Sequence, residues 1–254
     1  MSKRYAVTDI HGMWDLWQAI KDYCQPDDTI YFLGDAADRG TDGLRVIQDL
    51  LKDPRVVYLK GNHEDMLAMV ISDALQGYTE NLLWWAQNGG RETYEQLVTL
   101  SVEELTKLYR TIEVLPDHLT IENTKGQTIL LSHAGTSPDY TTADLLLVKG
   151  EAHYLWDRKH VMRPWPQDDK FKDLYIVHGH TPCMYMLKQF NNWRAFCGEE
   201  YISNDKIEIV KYADGHKFNL DLGSFMTNKI ALFDLDELKV EKYFEFPITD
   251  FTWV

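Results

Sequence analysis

The run TIYFLGDAADRG, residues 29–40, joins a short apolar segment to two carboxylates three positions apart, an arginine and flanking glycines. Thr29–Leu33 carries β-branched, aromatic and aliphatic residues with no polar alternation, which predicts a strand buried on both faces. Asp35, Asp38 and Arg39 then sit at its carboxyl end. Alone, GDAADRG also reads as a solvated surface turn with Gly40 as a left-handed hinge. Four further segments repeat the pattern: RYAVTD (4–9), RVVYLKGN (55–62), TILLSH (128–133) and LYIVHGH (174–180) each run apolar and end on Asp, Asn or His. Helix-like stretches, MWDLWQAIKDYC and TDGLRVIQDLLKD, separate the first three strands, giving the β-α-β-α-β order of an α/β fold. In such sheets ligands gather beyond the carboxyl ends of the strands, where these polar residues fall.

The middle of the chain reads differently. EDMLAMVISDALQGY, NLLWWAQNGGRETYEQL and SVEELTKLYRTIEVL have helical patterning, the last opened by a Ser101/Glu104 capping box. Residues of about 64–115 are therefore expected to form a helical insertion covering one side of the sheet. KFNLDLGS and KIALFDLDELKVEKYFEF follow as strands, with DLDEL as a hairpin turn. No repeat, low-complexity tract or flexible linker interrupts the chain, so one domain over 1–254 is expected.

Composition narrows the function classes. With 254 residues, 44% of them apolar and 13% aromatic, the chain can bury a substantial core. A net charge of −14 repels a nucleic-acid backbone. No stretch approaches the roughly 20 apolar residues that span a bilayer, and no signal-peptide pattern opens the sequence. Cys24, Cys183 and Cys197 are odd in number and lack CxxC spacing, which argues against disulfides or structural zinc and for a reducing cytoplasm.

Asp9 and His11 in TDIHG lie two apart at a strand end and can point to the same side. Asp35 follows the second strand, Asn62, His63 and Glu64 the third, His133 the fourth, and His178 and His180 the fifth. Burying so many polar groups at five strand ends without partners would be unfavourable. Oxygen and imidazole donors without thiolates suit divalent cations such as manganese, iron or zinc. About six ligands and one carboxylate able to bridge imply two of them.

The series DIHG, GDAADRG, GNHE, HAG and GHTP, in this order over residues 7 to about 224, resembles the phosphoprotein-phosphatase branch of the calcineurin-like metallophosphoesterases. NLLWWAQNGG, LWDRKH and FNLDLGS extend the resemblance to the bacteriophage lambda type of serine/threonine protein phosphatase. The resemblance implies a two-layer β-sandwich flanked by helices. It also implies two divalent metal ions, manganese first with iron or zinc as alternatives. Asp9 and His11 would bind the first metal, Asp35 would bridge, and Asn62, His133 and His180 would bind the second. His63 would be the general acid, oriented by Asp38, while Arg39 and Arg158 hold phosphate oxygens. The implied reaction is hydrolysis of phosphoserine and phosphothreonine, or more broadly of small phosphomonoesters, by direct attack of a hydroxide shared between the metals.

Ala37 replaces the valine usual in the family's GDxVDRG motif, a loss of packing volume that leaves the ligands in place. His178 is expected beside the site or in the core, and His118, His153, His160 and His216 are taken as ordinary histidines. Of Trp84 and Trp85, core packing is the expectation over a base-stacking platform. Asp221 is assigned a capping or turn role. Residues 186–216 leave room for an added hairpin. Two alternatives stand beside the phosphatase. Symmetric hydrolysis of diadenosine tetraphosphate is disfavoured because such relatives typically carry ARG where this chain has Asp38-Arg39-Gly40. A catalytically dead scaffold is disfavoured by the full set of ligand candidates.

Overall fold

Strand β1 (Arg4–Val7) shows how the layers arise. Tyr5 and Val7 point to one face and enter a helix-packed core, whereas Ala6 points to the other and meets the second sheet. In the computed structural model, which describes residues 2–136, 151–163, 165–196 and 206–247, the same division runs through every central strand. β2 (Thr29–Phe32) sends Ile30 and Phe32 to the helices and Tyr31 to the sheet interface. β5 (Thr128–Ser132) sends Ile129 and Leu131 to that interface and Leu130 outward. A period-2 strand with both faces apolar thus serves two cores, which is why no polar alternation marked it in the sequence.

The first sheet has the order β10-β9-β1-β2-β3, with β3 at Val56–Tyr58, β9 at Lys229–Asp234 and β10 at Lys239–Glu245. β1 runs parallel to β2, and β2 to β3, through crossover helices α1 (Trp14–Tyr23) and α2 (Gly43–Leu50). The β9–β10 hairpin closes the other edge antiparallel, turning at residues 235–238 as expected. The second sheet has the order β4-β5-β6-β8-β7, with β4 at His118–Glu122, β6 at Leu174–His178, β7 at Val210–Tyr212 and β8 at Lys217–Asn219. Ala6, Leu33, Leu59, Leu131, Val177, Phe218 and Phe233 fill the space between the sheets.

Helices α3 (Asn62–Gln76), α4 (Leu82–Trp85), α5 (Arg91–Leu97) and α6 (Val102–Glu113) occupy the predicted helical stretch. A π turn, Ala86–Gly90, joins α4 to α5, and Ser101 and Glu104 form the expected capping box. α7 (Glu151–Trp156), α8 (Cys183–Phe196) and α9 (Ser224–Thr227) complete the elements named here. The stretch 186–216 divides into part of α8, residues 197–205 outside the described set, and β7, which forms an antiparallel hairpin with β8. Cys197 and the side chain of His153 also lie outside the described set. No helix among the described residues is long and apolar enough to cross a membrane.

Candidate metal centre

The carboxyl ends of β1, β2, β3, β5 and β6 converge at one end of the sandwich. The loops after β1 and β2 are zipped together by backbone bonds: the Asp9 amide donates to the Gly34 carbonyl (3.0 Å), His11 to Asp35 (3.0 Å) and Gly12 to Ala36 (2.7 Å). To present side chains inward from so tight a contact, the chain adopts left-handed φ at Asp9 (53°), His11 (47°), Asp35 (62°), Asp38 (69°), Arg39 (66°) and His180 (71°). Each non-glycine residue there costs on the order of 1–3 kcal/mol, and such strain gathers at functional sites. The hinge expected at Gly40 is displaced: Asp38 and Arg39 take the left-handed conformation. Gly40 is instead needed for close approach, since a Cβ there would lie 2.2 Å from the His11 carbonyl oxygen.

Glu64 locks the base of the site. Its buried carboxylate accepts from the amides of Asp35, Ala36 and Gly61 (each 2.7 Å) and from the Tyr58 hydroxyl (2.8 Å), tying the β2 loop, β3 and the start of α3 together. Its bond to Gly61 is half of a capping box, because glycine has no side chain to reciprocate. The sequence offered Glu64 beside Asn62 and His63 but gave it no role; Glu three residues after a candidate N-cap was the available signal.

The predicted ligands meet. Asn62 Oδ1 lies 2.8 Å from His133 Nε2 and 2.9 Å from His180 Nδ1, and those two nitrogens are 3.2 Å apart. Asp35 Oδ2 faces Nε2 of His133 (3.4 Å), His11 (3.6 Å) and His63 (3.9 Å). His11 and His133 each donate Nδ1–H to a backbone carbonyl, Ala37 and Leu33 respectively, so that Nε2 faces inward. Asp9 accepts the His180 amide at 3.0 Å and the Thr8 hydroxyl at 2.6 Å.

The electrostatics follow from burial and crowding. Burial opposes ionisation of Asp35, but His133, His63 and His11 outweigh it and hold its carboxyl well below the usual range. Asp9 is pushed up by burial and by Asp35. His11 and His180 are driven well below 6.5, first by burial and then by Arg39 and His133 respectively. Against burial, Asp35 and Asp9 raise His133 to about 9. Its Nε2 faces the Asp35 carboxylate, the Asn62 amide oxygen and the His180 imidazole together, and a cation held there would compete with a proton for that nitrogen.

Among the described residues two donor groups, Asp9–Asp35–His133 and His11–Asp35–His63, each have ligand atoms within 4.8 Å of one another. They share Asp35, and they contain only oxygen and imidazole donors. This set fits two divalent cations with one bridging carboxylate. His63 differs from its neighbours in that Nδ1 is bonded to the buried Asp38 carboxylate at 2.7 Å. Arg39 spans the mouth, with guanidinium nitrogens 2.5 Å from His11 Nε2 and 2.9 Å from His63 Nε2, and its Cζ lies 4.7 Å from the centroid of the Phe225 ring. Phe225 was not foreseen. Arg158 lies near His180, donating to the neighbouring Thr181 hydroxyl (3.0 Å).

The remaining polar residues resolve as follows. His178 is buried, its Nε2 2.7 Å from the Tyr212 hydroxyl. His160 is buried against it, His118 is part-exposed, and His216 stacks on Trp165. Asp221 accepts the Gly223 amide in a turn, as expected. Trp85 is in the core, but Trp84 is 40% exposed and stacks on Trp156, whose edge meets the His180 ring.

Comparison with known proteins identifies the family and the fold. The family profile for calcineurin-like phosphoesterases matches residues 3–196. An asymmetrical bis(5'-nucleosyl)-tetraphosphatase of Anoxybacillus flavithermus is 30% identical over 167 residues, a match spanning 59% of this chain and 62% of that protein. A crystal structure provisionally assigned as a diadenosine tetraphosphatase superposes with a TM-score of 0.55 at 13% identity, covering 94% of this chain and 91% of the other. The cold-active protein-tyrosine phosphatase of a psychrophilic Shewanella species gives 0.52 at 16% identity, covering 93% and 77%. At these identities the structural matches establish the fold.

Proposed function

The chain belongs to the calcineurin-like phosphoesterases, and from that premise we propose that it hydrolyses phosphoesters, acting as a serine/threonine protein phosphatase. The observation carrying this reading is a pair of arginines at different histidines of the cluster, Arg39 at His11 and His63 and Arg158 beside His180. Together they form a clamp suited to one terminal phosphoryl group. Guanidinium forks match phosphoryl oxygens better than lysine does.

Asp9 and His11 would hold one cation, Asn62, His133 and His180 the other, with Asp35 between them and manganese as the first choice of metal. When bound, two such cations supply Lewis acidity that activates water near neutral pH and neutralises phosphoryl oxygens. Arg39 leaves its imidazole partners to take a phosphoryl oxygen, and Arg158 fixes a second. Water adds to phosphorus in line with the ester oxygen and the P–O bond breaks; with Arg39 gone, His63 Nε2 is free to carry a proton, which passes to the departing alkoxide, and the proton shed by the attacking water restores it. Asp38 holds Nδ1–H and stabilises the imidazolium that gives up that proton. Phosphoproteins or small phosphoesters are the proposed partners, without nucleic acid or membrane, in the cytoplasm.

A second reading has its own observation: the exposed Trp84 face beside the site, together with the 30% identical tetraphosphatase, favours a dinucleoside polyphosphate. The deciding measurement is kcat/KM for phosphoserine and phosphothreonine peptides against diadenosine tetraphosphate under identical manganese and salt. The peptides are expected to be the better substrates. A clear preference for the dinucleotide overturns the phosphatase reading, and its products then separate symmetrical cleavage, ADP alone, from asymmetrical cleavage, ATP with AMP.

A further inference from the structure

Two adjacent tryptophans have opposite fates, and the inner one ends on the proton-transfer pair. Trp85 is fully buried, and its indole Nε1–H donates to Asp38 Oδ2 at 2.7 Å. The same oxygen accepts His63 Nδ1–H, also at 2.7 Å. The other oxygen, Asp38 Oδ1, is buried with no hydrogen-bond partner among the described residues. The plane of this carboxylate therefore rests on two donors at one oxygen, and only one of them is inert in proton transfer.

The segment around Trp85 grips the same loop elsewhere. The Gly89 carbonyl accepts the Arg39 amide (2.7 Å), and a Cβ on Gly89, at φ 98°, would stand 2.6 Å from Arg39 Cγ. Thr93 accepts the Asp38 amide (3.0 Å). A Cβ on Gly90 would collide with the Trp85 ring at 2.3 Å, so the π turn can close only around a glycine there. Residues 85–93 thus hold both Asp38 and Arg39 from behind.

We propose that Trp85 is a positioning residue that acts through Asp38 on His63, setting the direction of the His63 Nε2 proton without touching substrate. An indole N–H is a donor only and carries no charge. It anchors the carboxylate without neutralising it, leaving the negative charge for the imidazolium; a lysine or arginine in its place would compete with His63. This rests on the reading that His63 protonates the leaving group.

The test is a double-mutant cycle of Trp85→Phe and Asp38→Asn in manganese-loaded protein, with a phosphoserine peptide as the poor leaving group and p-nitrophenyl phosphate as the good one. Trp85→Phe is expected to lower kcat on the peptide about tenfold, the worth of one hydrogen bond to a charged group, with KM and two bound manganese ions retained. The loss on p-nitrophenyl phosphate should be smaller, and in the Asp38→Asn background Trp85→Phe should add less than about twofold. Benzothienylalanine at position 85, which keeps the bicyclic shape and lacks the N–H, repeats the measurement without opening a cavity. Equal losses on both substrates, or full multiplication with Asp38→Asn, would assign Trp85 to packing alone and overturn the proposal. His63→Asn separates the two levels. If it loses equally on both leaving groups, the acid assignment and this inference fall together. If it is selective for the peptide while Trp85→Phe matches wild type, this inference falls alone.

Discussion

Asp35 shows how much one side chain can carry. It is buried, stays ionised because three imidazoles outweigh its burial, and belongs to both donor groups at once. Asp35→Asn removes the charge while preserving shape, so both cation positions weaken together. Manganese stoichiometry should fall from two towards zero in dialysed protein, and kcat by at least about 10²-fold, the upper range for disturbing even an outer contact of a metal site. Wild type binding one manganese ion, or a fully active variant, would refute the bridging role. The side chains that meet around Asp35 were legible in sequence because Asp, Asn and His recur at the ends of five apolar runs, although each motif alone also suits a turn. The left-handed backbone at Asp9, Asp35, Asp38 and Arg39 was not, because Asp adopts that region more readily than most residues yet still only occasionally, and Arg rarely. Local preference pointed to Gly40, and the docking of one loop on another moved the strain to its neighbours.

Elements were legible where burial was two-sided. The central strands announced themselves as continuous apolar runs. β4 did not, since His118–Glu122 is an edge strand with no fully buried residue, and β7 is only three residues long. α3 is the element most shaped by the site. Its first turn, Asn62-His63-Glu64, is buried rather than solvated, and Glu64 fastens it to the two neighbouring strand ends. Glu64→Gln places an amide group against backbone N–H donors that need an acceptor. With hydrogen bonds to a charged group worth about 1.5–3 kcal/mol each, a loss of at least about 3 kcal/mol is expected. For a protein of this size that lowers Tm by roughly 6–12 °C. Scanning calorimetry with and without manganese checks it, and an unchanged Tm in the metal-free protein would show that Glu64 bears no structural load.

Across the whole molecule, one buried cation makes stability depend on pH. Lys217 lies on β8 with its ammonium beneath the 159–162 turn, donating to the His160 carbonyl at 3.2 Å, and burial lowers it from 10.5 to about 7. The unfolded chain takes up this proton near 10.5 and the folded one only near 7. The neutral form thus contributes its full stability above about pH 10.5, and that contribution is lost as pH falls towards 7. Relative to Lys217→Met, the wild type should gain about 2 kcal/mol between pH 7 and pH 9. Urea unfolding at both pH values gives the difference directly, and parallel curves would refute it. The arrangement of the two sheets has another consequence, in time rather than in energy. β1 pairs with β2 on one side and with β9 on the other. At the ribosome, Asp9, Asp35 and His63 emerge early, His133 and His180 much later, and Lys229–Asp234 about 170 residues after His63. At roughly 5–20 residues per second, that leaves the first sheet half-edged for on the order of 10–30 s. Early in that interval Asp9, His11, Asp35 and His63 exist without His133 and His180, so the cluster can close only after the second sheet has been made.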